Sequence, residues 1–150
     1  MKTLISIALS SAWILGLPAQ TPGPSCCQMK IETNEEHAGL LKVTITNLNE
    51  PSLSVRFRSS ELDYKVRLTS EDGRQVDRTE HGKELLDPNF YQGGSRFRIR
   101  LKPGGSRSET LDLRTLFDLK PGRYKVVLSR DVGTSASEVT LEATGSFSLP

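Results

Sequence analysis

Histidine and cysteine, on which most metal sites and many nucleophilic sites are built, are nearly missing from this 150-residue chain: there are two of each. The cysteines are the neighbours Cys26 and Cys27, and the histidines are His37 and His81. Two thiols without a CxxC spacing and two distant imidazoles form no recognisable zinc ligand set. Nucleophilic catalysis needs a Ser or Cys beside an oriented base, and neither histidine lies in a hydrolase or cysteine-protease signature. Charge of one sign is also lacking: 20 Lys and Arg against 18 Asp and Glu leave a net charge of +2. No global field of the kind that draws nucleic acid follows from that balance. The Gly-rich pieces "QGGS" and "KPGGS" follow no strand-to-helix pattern, so they read as turns rather than phosphate cradles. No helical periodicity of useful length, internal repeat or low-complexity segment is present, and no cofactor is expected.

Long apolar runs are absent except at the start, where Lys2 precedes an uncharged stretch from Thr3 to Leu17 that ends in Leu17-Pro18-Ala19. As a helix it would reach about 22 Å at about 1.5 Å per residue, short of the roughly 30 Å hydrocarbon core. It reads as a secretory signal peptide over residues 1–19, followed by a flexible leader over 20–26 and one domain over 27–150. No transmembrane segment is expected in the mature chain, and the compartment is extracellular or periplasmic. The residues before Cys26, "GPS", make a poor lipobox, so no lipid is expected there. In a strand starting here, Cys27 would face inward with Met29 and Ile31, and Cys26 outward. A disulfide within the pair would be strained; a disulfide-linked dimer through Cys26 is the alternative.

What the remainder does contain is alternation of period two. The sets are Leu41, Val43, Ile45; Leu53, Val55, Phe57; Leu62, Tyr64, Val66, Leu68; Phe97, Ile99, Leu101; Leu111, Leu113; Tyr124, Val126, Leu128; and Val139 to Leu149. Asp72-Gly73 marks a hairpin turn, and Gly145 a bulge. Seven to eight strands separated by turn residues predict an all-β, antiparallel β-sandwich.

One motif sharpens that class. In "LFDLKPGRYKVVL", Leu119, Pro121, Gly122 and Tyr124 form the pattern L-x-P-G-x-Y. It resembles the tyrosine corner of immunoglobulin-like and fibronectin-like sandwiches, which implies a phenol bonded back to backbone before the turn. The longer segment "LDLRTLFDLKPGRY" is similar to small secreted bacterial sandwich domains and, more distantly, to the BsuPI-type intracellular proteinase inhibitor sandwich. That resemblance spans Met29 to Leu149 as a strand pattern; the export signal departs from the inhibitor family, and no reactive-loop residue carries over.

Two surfaces are candidates for binding. One is the long connection "DRTEHGKELLDPNFYQGG", Asp77 to Gly94, with Phe90 and Tyr91 exposed for recognition or, alternatively, capping the core beside a helical turn at "KELL". The other is a comb of positive charge: Arg96, Arg98, Arg100 and Lys102 between Phe97, Ile99 and Leu101, extended by Arg56, Arg58, Lys65 and Arg67. On one sheet face these would suit sulfate, phosphate or uronate groups of an anionic glycan, or another protein. The alternative is a solvated face. Neighbours about 7 Å apart repel by only about 0.6 kcal/mol in water, whereas each buried apolar residue contributes about 1.5–3 kcal/mol, so folding does not require a ligand. Glu109, Asp112, Glu138 and Glu142 are available as cross-strand partners. Paired carboxylates such as Glu35-Glu36 or Glu61 and Asp63 read as solvated rather than catalytic, and Glu84, Asp87 and Asn89 lack a calcium-loop register. The expectation is a non-catalytic interaction module; the alternative is an inhibitor-like sandwich presenting a loop to a protease. Intact-mass measurement of the exported protein is expected to find a chain starting near residue 20 with no acyl group on Cys26.

Overall fold

Among the described residues, eight strands and three single helical turns account for the alternating sets. The computed structural model describes residues 25–34, 36–89 and 97–150; the expected export segment, most of the leader, and Phe90, Tyr91 and Arg96 lie outside the described residues. In chain order the elements are β1 (Cys27–Thr33), β2 (Leu40–Asn47), β3 (Leu53–Phe57), α1 (Ser60–Asp63), β4 (Lys65–Ser70), α2 (Glu80–Glu84), β5 (Phe97–Leu101), β6 (Ser106–Asp112), α3 (Leu113–Leu116), β7 (Gly122–Gly133) and β8 (Glu138–Leu149). They build an all-β sandwich of two antiparallel sheets, one of three strands in the order β1-β2-β6 and one of five. None of the described helices is long and apolar enough to cross a membrane.

The five-stranded sheet is organised around β7, which is long enough to be shared. All of one edge pairs with β8, from Gly122↔Leu149 to Gly133↔Glu138. Along the other edge β4 covers Tyr124 to Ser129, and β3 then joins at the single pair Ser54↔Gly133. The two strands therefore part beside Arg130. Strand β5 extends the sheet beyond β3, in the register Leu53↔Leu101 to Phe57↔Phe97.

Alternation puts one set from each strand between the sheets, where Leu41, Val43, Leu53, Val55, Leu68, Leu111, Val126 and Leu128 are at most 1% exposed. Five details depart from the sequence expectation. Leu113 opens α3 instead of continuing a strand from Leu111. Leu62 belongs to the α1 turn rather than to a strand, because Asp63 folds back to accept from the backbone N–H of Arg58 at 2.9 Å. Phe97 is 53% exposed and only Leu101 of its set is buried, because β5 ends the sheet and overhangs the narrower one. Gly145 sits in unbroken register opposite Val126 and makes no bulge; a Cβ there would meet Ile31 Cγ2 at 3.1 Å, so its bare backbone makes room for β1. Cys26, placed in the leader by sequence, is part-buried in the turn before β1, and its carbonyl accepts from Leu48 N at 2.9 Å.

Two local devices close the sandwich. Asn47 occupies an inward position of β2 and is fully buried. Its amide donates to Leu101 O at 2.8 Å and Glu50 O at 2.9 Å, and its side-chain oxygen accepts from Glu50 N. It ties the β2–β3 turn to the place where the chain crosses from β5 to β6. At the other end, Leu119 packs on the core and Gly122 has φ 148°, a backbone that favours glycine. Beyond Pro121 the Tyr124 phenol donates to Lys120 O at 2.5 Å and accepts from Lys120 N at 2.9 Å, while its ring stacks on Phe147 at 5.3 Å. Tyr124→Phe is expected to cost about 0.5–1.5 kcal/mol and Tyr124→Ala about 3–5 kcal/mol in denaturant melts; equal stabilities for all three proteins would leave the turn without a structural role.

Candidate functional site

The outward positions of β3, β4 and β5 carry the comb. Arg56, Lys65, Arg67, Arg98 and Arg100 are all exposed, with Arg58 just after β3 and Lys102 in the turn after β5. The structure thus brings the described members onto one sheet, but their surroundings differ. On the β4 side each cation meets a carboxylate: Lys65 pairs with Asp131 at 3.5 Å and Arg67 with Glu142 at 3.8 Å. Arg56 reaches Glu138 at 3.2 Å. Arg58 turns back onto α1, with Nε 3.6 Å from Asp63 Oδ1 and Nη2 donating to Leu62 O at 3.3 Å. Arg98 and Arg100 form no ion pair among the described residues. In the β3–β5 register Arg98 stands directly opposite Arg56, with Arg100 opposite Ser54. Like charges so placed destabilise by roughly 0.2–1 kcal/mol.

Of the four acids expected to meet the comb, Glu138 and Glu142 do so. Asp112 instead pairs with Arg114 at 2.7 Å, and the hydrogen bonds of Arg114 hold its carboxyl below the usual carboxylate range. Glu109 points the other way, into the sandwich. Its position on β6 is inward, in phase with Leu111, and there it meets Arg130.

Arg130 was not a sequence candidate, although its signal was present: it continues the inward phase of Tyr124, Val126 and Leu128. Its side chain is 2% exposed. Nη1 donates to Glu109 Oε2 at 3.0 Å, and Nη2 to Arg56 O at 2.5 Å and Asp63 Oδ2 at 3.4 Å. Its guanidinium also lies 4.6 Å from the Phe57 centroid and 4.7 Å from that of Tyr64. Tyr64 donates its hydroxyl to the same Glu109 oxygen at 3.1 Å, and burial raises the phenol far above its ordinary range. Arg107 completes the set, 3.9 Å from Glu109 Oε1 and 4.7 Å from the Phe57 ring, which also stacks on Phe97 at 5.6 Å. Charges therefore alternate from Arg58 through Asp63, Arg130 and Glu109 to Arg107, from one sheet to the other.

Where β3 and β4 part, a cleft of about 350 Å³ opens over this chain of charges. Arg56, Arg58, Lys65 and Arg130 line it together with Asp63, Asp131 and Glu138. Four cations against three carboxylates make it nearly balanced, so the free positive charge lies beside it, on β5.

Among the described residues, no nucleophile–base pair assembles around Glu61, Asp63 or His81. Glu61 accepts from Thr115 Oγ1 at 2.8 Å and lies 3.2 Å from His81 Nε2. The carboxylate thereby separates the hydroxyl from the imidazole, the reverse of a nucleophile–base pair, and it ties α1 to α2 and α3. Asp63 is consumed by arginines. Among the described residues no group of three or more His, Cys, Asp or Glu is gathered; Asp87 accepts from Asn89 N at 2.8 Å within its own turn. The helical turn expected at "KELL" lies slightly earlier, with its N-cap Thr79 accepting from Gly82 N at 3.0 Å.

Arg130→Met would leave two nearly buried carboxylates facing each other without their shared cation, and a loss of about 3–5 kcal/mol is expected. Adding Glu109→Gln should recover part of that loss, since one of the two carboxylates that lost the central cation is then neutral. Strictly additive losses in denaturant melts of the single and double variants would show the two residues to be uncoupled.

No family model matches this chain, and no curated protein matches it in sequence.

Proposed function

We propose that the protein is a secreted or periplasmic, non-catalytic interaction module of immunoglobulin-like type that holds an anionic partner on the β3–β5 half of its five-stranded sheet. The observation that carries this reading is the facing pair Arg56 and Arg98 with Arg100 beside it. On the β4–β8 half every cation of the comb has a carboxylate within 4 Å, whereas here Glu138 pairs with Arg56 alone and the two arginines of the edge strand have no ion-pair partner among the described residues. A sulfate, phosphate or uronate group between the forks would remove that repulsion, and guanidinium groups bind such polyoxygen anions in a fixed geometry. The partner is an anionic glycan or an acidic protein surface.

Rigidity supports the same half-sheet. Arg130 holds the carbonyl of Arg56 from behind, so the strand that presents Arg56 is fixed by the core, and little ordering is left to oppose binding. The alternative is an inhibitor-like sandwich presenting a loop to a protease, and no observation among the described residues favours it.

The test compares two variants that each lose two positive charges. Arg98→Gln/Arg100→Gln and Lys65→Gln/Arg67→Gln should both stay within about 1 kcal/mol of the parent in stability, because exposed pairs contribute little. On a heparin column the first should elute at clearly lower salt and the second close to the parent. Equal shifts would reduce the effect to net charge and remove the assigned site.

A further inference from the structure

Cys26 and Cys27 are the only cysteines of the chain, and the basic face uses neither. Their sulfur atoms lie 3.0 Å apart, within reach of an S–H···S hydrogen bond. Cys26 is part-exposed in the turn before β1, while Cys27 is 3% exposed behind it. The backbone that carries them is pinned: Cys26 O accepts from Leu48 N at 2.9 Å and Asn49 N at 3.4 Å, and Cys27 pairs with Asn47 at the start of the β1–β2 ladder. One sulfur thus stands at the surface with a second held directly behind it.

We propose that this pair is a redox-modification site, a vicinal dithiol that closes to an intramolecular disulfide by exchange with an incoming disulfide and reopens with thiols. The geometry assigns the two roles. Cys26 is the sulfur that an incoming disulfide can reach, while Cys27 is buried behind it, and burial, reinforced by the hydrogen bond to Cys26, pushes the Cys27 thiol up to about 12, so the first attack is assigned to Cys26. Cys26 Sγ attacks one sulfur of the incoming disulfide; that S–S bond breaks, the distal sulfur leaves as a thiolate, and Cys26 is left in a mixed disulfide. The leaving thiolate takes the proton of Cys27, whose sulfur then attacks Cys26 Sγ and expels the second thiolate. The protein gives up two protons and two electrons, and the incoming disulfide becomes two thiols.

Adjacent residues hold their Cα atoms about 3.8 Å apart, shorter than the roughly 4.4–6.8 Å of ordinary disulfides. The closed ring is therefore strained and easily reduced, a reversible mark rather than a staple. A second chain bridging through Cys26 must compete with a sulfur already 3.0 Å away, and a tethered partner acts at far higher effective concentration than a free one.

The purified full chain is incubated in graded mixtures of oxidised and reduced glutathione, then analysed for free thiols and for intact mass without reductant. The expected product is a monomer lacking two hydrogens, with both thiols lost together and both restored as the reduced fraction rises. Cys27→Ser should accumulate one glutathione on Cys26, having no sulfur to displace it, and Cys26→Ser should react far more slowly than the parent. A parent that ends as a stable glutathione adduct, as a disulfide-linked dimer, or as an unreacted dithiol would overturn the proposal.

Discussion

The constraint on which the rest of this sandwich depends is the placement of one guanidinium between its sheets. Burying Arg130 costs several kcal/mol in lost hydration, and the fold supplies the compensation from every side: Glu109 from the three-stranded sheet, Asp63 from α1, the carbonyl of Arg56 from β3, and the rings of Phe57 and Tyr64. None of these groups could move far without leaving a charge unpaired. Apolar contacts between flat sheets tolerate sliding, whereas a fork with three fixed acceptors does not. The arginine therefore sets how β6, α1 and β3 sit against β7, a role in specificity rather than in raw stability, since a well-packed apolar replacement of the whole cluster would be comparably stable.

The same arrangement explains why the outer face is divided. Glu138, Asp131 and Glu142 sit on β7 and β8, near enough for their ion pairs to Arg56, Lys65 and Arg67. Strand β5 is one strand further out, beyond β3, and the acids of β8 do not extend to it. Glu109, whose charge could have balanced the total, is turned inward to serve Arg130. Because Glu109 lies on β6 of the other sheet and no described acid reaches β5, that edge of the sheet stays basic. Repulsion across the Arg56–Arg98 pair is small against burial of the inner residues, so the face persists without a ligand.

Much of this was legible in the sequence, because a period of two fixes which side chains share a face once any one of them is known to be buried. It placed Leu41, Val43, Ile45, Leu53, Val55, Val66, Leu68, Val126 and Leu128 in the core and Arg56, Lys65, Arg67, Arg98 and Arg100 outside it. Parity does not say how wide each sheet is, and so it could not show that Phe97 overhangs the three-stranded sheet and stays half in water. It is also blind to a chain that leaves the strand for a single helical turn, as at Leu62. Arg130 and Glu109 are the instructive cases: both keep the inward phase of apolar neighbours, and two opposite charges in phase on separate strands are the trace of a buried ion pair. Nothing in the sequence gives their partners, because those depend on which strands face each other across the core.

The buried polar side chains share a common reason. A sandwich leaves main-chain carbonyls unserved wherever a strand parts from its neighbour or crosses to the other sheet, and a buried carbonyl without a donor is costly. Arg130 serves Arg56 where β3 and β4 part, and Asn47 serves Leu101 and Glu50 where the chain crosses from β5 to β6. Arg78 donates to Val66 O at 3.1 Å while its guanidinium lies 4.7 Å from the Phe117 ring, and burial lowers its basicity. In each case a long or forked donor grows from the core and closes a gap that no strand could fill. The turn at Cys26 solves the converse problem with backbone alone, its carbonyl taking the N–H groups of Leu48 and Asn49 beyond the end of β2. Among the described residues, the only hydrogen bond of the two cysteine side chains is therefore the one they make to each other.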